Sequence, residues 1–438
     1  MTEGAPAPAA VEAAPQRKGP PPEQIEATVA WATRLFSDWY RANPPPMPPR
    51  FGRREFGFIP APRPPPDRTP FFRHMAMRSR EELHEHVVRT GPWHCYYSTA
   101  YYEDPAGPTM KDKGWLGADL IFDLDADHLK GAETMSFEAQ LDAVKTQTRR
   151  LLDEFLLPDF GFDPANVRVV FSGGRGYHIH VDDPRVLRLG SAERREIVDY
   201  VSPPRDVLED LLARMRTSHA YTKDQFTRKP ERDVLIPRVD EPGWRGRSTR
   251  YVVRFLEELA TMPREAALAR LQEIDGVGPK KAEDILDDLT PERIARTAEG
   301  RLEAIPGVRR HLKVLEAALL DQVIRFAPGE TDEPVTADIK RLIRLPGSLH
   351  GKSGLRVTPI PLDALPSFEP LRDAVALPTD RTVKVVVAPG AGDVRLGGER
   401  VSTQPGPQEL PVAHAAFLVL RRKALVPWQG SRLPVFDE

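Results

Sequence analysis

Residues 120–125, LIFDLD, alternate apolar and acidic side chains along a run of strand formers. In a strand, side chains at i and i+2 share a face, about 6.6 Å apart at a rise of about 3.3 Å per residue. Leu120, Phe122 and Leu124 therefore belong to one face, which faces a core, and Asp123 and Asp125 point together from the other. Such a strand demands a sheet with one packed and one accessible face. It also demands something to offset the charge. A solvated strand end is one reading. A divalent cation site is the other, because paired carboxylates resist joint ionisation unless a cation neutralises them. Oxygen ligands of this hardness favour magnesium or manganese. Asp127, the next acid in the series, is expected in a loop.

Two further segments suit the cation reading. In SGGRGYHIH, residues 172–180, two strand-like runs meet at a glycine turn. Successive glycines let the backbone approach an anion, Arg175 can clasp a phosphate with two parallel hydrogen bonds, and Ser172 can add a hydroxyl. His178 and His180 share a face of the second run, so one or both can reach the same anion. Neither a Gly-Lys-Ser/Thr phosphate loop nor a G-x-G-x-x-G opening a helix is present there. The plain alternative is a hairpin with an exposed arginine. In DEPVTADIKRLIRLPGSLH, residues 332–350, the spacing predicts a helix capped by Thr336 with Ile339, Leu342 and Ile343 as its buried stripe. Lys340, Arg341 and Arg344 then lie elsewhere on it, the two arginines as neighbours. A solvated basic face explains such a run by itself. Asp332 before it and His350 after it give instead a carboxylate, two arginines and a histidine in a short span, as a metal ligand beside a triphosphate would need.

At 438 residues the chain predicts two or three structural units. Helix and strand patterns interleave from about residue 23, which predicts an α/β core. REFGF and FFRHMAM read as strands, SREELHEHVV as a helix with Ser79 as N-cap, and SFEAQLDAVKTQTRRLLDEFLL as an amphipathic helix. Residues 186–330 are nearly all helical in pattern. Within them LQEIDGVGPKKAEDIL matches a helix-hairpin-helix, and LEAIPGVRRHLKVL is a degenerate second copy. TVKVVV and AAFLVL near the end read as short β runs.

There are 62 Lys plus Arg against 64 Asp plus Glu, so any polyanion site must be local. The single cysteine, Cys95, excludes an internal disulfide framework and any multi-cysteine metal site within this chain. With no apolar run of membrane-spanning length and no signal-peptide pattern, cytoplasmic residence is the expectation.

Taken together, REFGF, FFRH, YYSTAYYEDP, KGWLGADLIFDLDADH, FSGGRGYHIHV and VTADIKRLIRLPGSLHGKSGL resemble the small catalytic subunit of the archaeal and eukaryotic primases, closest to the archaeal branch. The similarity covers roughly residues 25–185 and 330–365. It implies an α/β (α+β) primase-type core with an RRM-like sheet. The expected organisation is an Ala/Pro-rich flexible tail at 1–22, core at 23–185, a helical insertion at 186–330, further core at 331–400 and a C-terminal segment at 401–438 packing on it. The resemblance implies that Asp123, Asp125 and Asp332 are the catalytic metal ligands. It puts Ser172, Arg175 and His178 on the nucleotide-binding turn, Arg344 and His350 on the incoming triphosphate, and Arg73 in the same role on a slighter match.

The implied activity is template-directed synthesis of primers from nucleoside triphosphates by two-metal nucleotidyl transfer, with Mg2+ or Mn2+. A primase large subunit and a single-stranded DNA template are the implied partners. Many relatives carry a cysteine- and histidine-rich zinc knuckle after the Asp-x-Asp strand. LKGAETMSFEAQLDAVKTQ has neither residue, so no structural zinc is expected.

Three other readings compete. A repair or end-joining polymerase of the same superfamily would use the same residues. A haloacid-dehalogenase-type phosphatase needs Thr or Val where Asp127 stands. A non-catalytic DNA-binding scaffold would rely on the glycine hairpin, against the chain's near-neutral charge.

Overall fold

The computed structural model describes residues 20–62, 68–129, 131–203, 217–218, 234–301, 314 and 335–427. Asp332, most of the expected tail and nearly all of the second hairpin copy lie outside the described residues. α1 (Pro22–Ala42) buries Trp31, Leu35, Phe36 and Tyr40 along one stripe. Then come β1 (Phe56–Ile59), β2 (Phe72–Met75), α2 (Arg80–Thr90), β3 (His94–Ser98), β4 (Ala100–Tyr102), β5 (Trp115–Ala118) and β6 (Leu120–Asp125). Ser79 caps α2 as expected, its hydroxyl accepting from the Glu82 N–H. α3 (Phe137–Leu151), β7 (Val167–Phe171), β8 (Gly176–Val181) and α4 (Ser191–Val201) complete the alternating part, and the short antiparallel pair β9 (Thr217–Ser218) and β10 (Val234–Leu235) follows it.

Two four-stranded antiparallel sheets dominate, and the architecture is the expected mixed α/β class. With β11 (Leu342–Arg344) and β12 (Thr358–Ile360), the strand orders are β11-β3-β1-β2 and β12-β7-β8-β6. In the second sheet Leu120, Phe122 and Leu124 are buried on one face with Tyr177 and Ile179, and α3 packs against β6 and β8. Its other face carries Asp123 and Asp125. β6 and β11 are each an edge strand of their own sheet. They come together through the turn Val335–Ala337, which packs on β6.

Two segments depart from the sequence-based expectation. The predicted helix over ADIKRLIR is a short turn followed by β11, whose Leu342, Ile343 and Arg344 pair with Ser98, Tyr97 and Tyr96. Helical spacing of Ile339, Leu342 and Ile343 is a local signal. A free edge on β3 and the nearby Pro346, which disfavours helix before it, override it. Conversely AAFLVL is helix, inside α9 (Val412–Leu420), where all nine residues are buried. A continuous apolar run has no period to distinguish buried helix from buried strand, and Pro411 presets the helical start. TVKVVV is a strand as expected: β13 (Thr382–Val387), between β16 (Gly406–Pro411) and β17 (Ala424–Leu425), while β14 (Val394–Leu396) and β15 (Glu399–Val401) form a separate hairpin.

Helices α5 (Gly243–Thr261), α6 (Arg264–Gln272), α7 (Pro279–Asp288) and α8 (Pro291–Ala298) gather around a second apolar core that includes Phe255, Leu259, Leu271 and Ile285. The α6–α7 hairpin turns at Gly276, whose φ of +83° is left-handed, and Lys281 Nζ donates to the Gly276 carbonyl at 2.9 Å. No helix among the described residues is long and apolar enough to cross a membrane.

Candidate active site

The β6–β8 ladder sets the geometry. Asp123 stands opposite His178 and Asp125 opposite Gly176, so both carboxylates project beside the glycine turn at the start of β8. His178 Nε2 lies 3.4 Å from an Asp123 oxygen, and an Arg341 amino group lies 3.8 Å from the other. Burial holds His178 below its ordinary range despite the pull of Asp123, so the ring is neutral at pH 7. Its Nδ1 is buried with no hydrogen-bond partner among the described residues. Asp125 accepts from the Asp127 N–H at 3.0 Å, which ends the strand in a short helical turn. Asp127 is exposed there and pairs with Arg175.

The turn holds its shape through Ser172, whose oxygen accepts from the N–H groups of Gly174 and Gly176, each at 3.2 Å. Two glycines are required. Gly173 has φ +76° and a Cβ there would lie 2.7 Å from Cβ of His350; at Gly176 it would lie 2.5 Å from the Leu124 carbonyl oxygen. The close approach of His350 brings the segment after β11 onto the turn. His350 Nδ1 lies 3.2 Å from Ser353 Oγ, and its Nε2 lies 3.2 Å from where a Gly174 Cβ would be. Burial, and then Arg344, push His350 well below the ordinary histidine range.

Arg344 hydrogen-bonds His94 Nδ1 and lies 4.6 Å over the Tyr96 ring. Burial weighs against its charge, while Tyr96, Cys95, Asp123 and Asp125 act the other way. Arg73 stands further out on β2. It is partly exposed, 3.1 Å from the buried Glu55 and 5.6 Å from the Phe71 ring, which in turn lies 5.4 Å from Tyr96.

Of the residues singled out in the sequence, Asp123, Asp125, Ser172, Arg175, His178, Arg344 and His350 thus form one neighbourhood, and Arg73 stands at its margin. Arg341 and Arg344, expected as helix neighbours, are reached instead from an extended segment. His180 does not join: it is fully buried and stacks on Tyr97 at 6.4 Å. Sequence reasoning passed over His94 and Tyr96. Their only signal is that they sit two apart on β3 and so share a face. Among the described residues no group of three or more His, Cys, Asp and Glu is arranged to hold a metal ion.

The buried histidines make stability depend on pH. Burial, then Arg344, lower His94 to about 2, and His180 and His350 also lie well below the ordinary value, burial being the first cause in each case. Each takes up a proton near pH 6.5 only when the chain unfolds, so their stabilising contribution is complete above that pH and falls as the pH drops. From pH 7.5 to 5.5 the loss is about 1.4 kcal/mol per histidine, or about 4 kcal/mol for the three. Urea unfolding at the two pH values, with proton uptake measured, checks this; equal unfolding free energies would contradict it.

The model of the DNA primase small subunit family matches residues 122–362. The chain is 40% identical over 408 residues to the DNA primase small subunit of Methanothrix thermoacetophila, an overlap of 90% of this chain and 98% of that one. It is 40% identical over 390 residues to the DNA primase small subunit of Methanococcoides burtonii, covering 89% and 96% of the two chains. For that of Halorubrum lacusprofundi the figures are 41% over 397 residues, covering 89% and 95%.

Proposed function

The chain belongs to the DNA primase small-subunit family, and from that premise we propose that Asp123, Asp125 and Asp332 hold the divalent cations of nucleotidyl transfer, while Ser172, Arg175, His178, Arg344 and His350 receive the incoming triphosphate. Arg73 would act at its margin. The protein is a primase catalytic subunit, a DNA-directed nucleotidyltransferase of DNA replication. The observation that carries the assignment of residues is the convergence of three segments: two carboxylates on the open face of β6, a hydroxyl and the Arg175 guanidinium at the adjoining turn, and the stretch around β11, which sets Arg341 3.8 Å from Asp123 and packs His350 on that turn.

The donor set fits hard divalent cations. Asp123 and Asp125 offer oxygen ligands on one face, and Asp332 precedes by three residues a turn that packs on β6. Bound Mg2+ or Mn2+ would supply neutralisation of the charge that develops on attacking, bridging and leaving oxygens and would lower the pKa of a 3′-hydroxyl. The chain's own groups do the rest. Ser172 Oγ already accepts two N–H groups, so its proton is available to a phosphate oxygen. Arg175 can exchange Asp127 for phosphate at little cost, since an exposed ion pair is worth about 0–1 kcal/mol. Nδ1 of His350 accepts from the Lys352 N–H at 3.4 Å, which leaves the proton on Nε2, directed at the turn. Arg344 and Arg341 add delocalised positive charge where pyrophosphate leaves.

On the same reading, residues 186–330 form an insertion between two parts of the catalytic core. A primase large subunit would be the partner, single-stranded DNA the template and the cytoplasm the setting. The test is unprimed synthesis by the full chain on single-stranded DNA with labelled ribo- and deoxyribonucleotides, with magnesium, manganese or a chelator. Products that begin without a primer and vanish with the chelator are expected. No product at any metal concentration would overturn the reading.

A further inference from the structure

We propose that His94 is a positioning residue for the triphosphate, its ring nitrogen fixing the Arg344 guanidinium against Tyr96. This rests on the reading that Arg344 binds phosphate. The sheet supplies the arrangement. Arg344 on β11 is directly opposite Tyr96 on β3, so their side chains share a face, and His94, two residues before Tyr96, lies on that face too. A long side chain reaches such a diagonal neighbour. The guanidinium accordingly stacks 4.6 Å from the Tyr96 ring centre and donates through Nη1 to His94 Nδ1. Among the described residues this is the one side-chain hydrogen bond of Arg344, and no carboxylate stands within ion-pair distance of it. Its remaining N–H groups are left for an anion.

His94 is itself held. The Gly351 N–H donates to the same Nδ1 at 3.3 Å, and the His350 ring stands edge-on at 5.2 Å. A Cβ at Gly351 would lie 2.6 Å from the Trp93 carbonyl oxygen and 2.9 Å from His94 Cε1, so the loop closes over the ring with no room to spare. Two donors converging on Nδ1 require a lone pair there, and hence a neutral ring protonated at Nε2. Burial, with Arg344 and Lys352 nearby, keeps it neutral. An imidazolium would have no lone pair and would repel the guanidinium. His94 thus restricts the rotation of a flexible cation before the ligand arrives, which improves affinity without touching the ligand.

The test compares His94→Ala, His94→Asn, His94→Gln, Arg344→Ala and the double variant His94→Ala/Arg344→Ala in the full chain, using ATP and AMP binding and the KM and kcat of synthesis. Asn can set its carboxamide oxygen near the place of Nδ1; Gln sets it near Nε2. His94→Ala is expected to weaken ATP binding and raise KM roughly three- to tenfold, the size of one hydrogen bond, with AMP binding unchanged. Asn restores most of the loss, Gln does not, and the alanine at 94 adds nothing once Arg344 is gone. Should His94→Ala not fold, the Asn and Gln comparison decides. Full additivity in the double variant, or equal ATP binding by the Asn and Gln variants, overturns the role of His94 alone. Unchanged ATP binding in Arg344→Ala overturns the phosphate reading beneath it.

Discussion

Replacing Asp123 and Asp125 together by alanine is expected to abolish primer synthesis while leaving the fold intact. Metal ions at a phosphoryl centre stabilise the transition state by several kcal/mol, and each 1.36 kcal/mol is tenfold in rate, so the loss should reach on the order of 10³-fold or more. Stability should hardly change. Both side chains lie on the open face of β6, and the packing of that strand comes from Leu120, Phe122 and Leu124 on the other side. Rates of synthesis should therefore be read beside thermal unfolding. A variant that folds and still synthesises within tenfold of the parent would remove the carboxylates from the chemistry.

Arg54→Ala is expected to act in the opposite sense, on the fold and not on the chemistry. Arg54 and Asp119 are buried and paired at 2.7 Å. The same guanidinium donates to the Tyr101 hydroxyl at 2.7 Å and to the carbonyls of Pro49 at 2.8 Å, Ser98 at 2.7 Å and Thr99 at 3.2 Å. It thereby ties the entry of β1 to the β3–β4 crossing and to the residue that precedes β6. Removing one partner of a buried pair leaves an uncompensated charge and costs about 3–5 kcal/mol. The corresponding fall in Tm is about 3–5 °C for a chain of this length. Equilibrium denaturation measures it, and a change under 1 kcal/mol would show that Asp119 finds another partner. Arg194 also donates to the carbonyls of Ala118 and Asp119, each at 2.7 Å, so the strand carrying the aspartates is braced from two sides.

Much of the site was legible because its signals are local. The two faces of β6 follow from alternation at a period of two, and the β7–β8 hairpin from its glycines. Ser79 caps the helix that follows it, as its place ahead of that helix implied. The Arg54–Asp119 pair carries no such signal, because nothing within a few residues of either position reveals the other. Nor did His94, whose role depends on Arg344, 250 positions away. The segment at 338–344 misled for the same reason: its apolar spacing satisfies a helix, and the partner that makes it a strand lies on β3. AAFLVL misled in the other direction, since burial on every side erases the periodicity that separates helix from strand.

The sequence by itself determined the chemistry of the parts: carboxylates sharing a strand face, a turn able to admit an anion and a helix capped by Ser79. Alternation, glycine and caps act over a few residues and need no knowledge of the rest of the chain. Only the tertiary structure decided which edge strands meet, so that Arg341 reaches Asp123, His350 closes on Gly173 and His94 holds Arg344. Those contacts join segments more than a hundred residues apart, and their free energy comes from pairing and burial that no short stretch of chain contains.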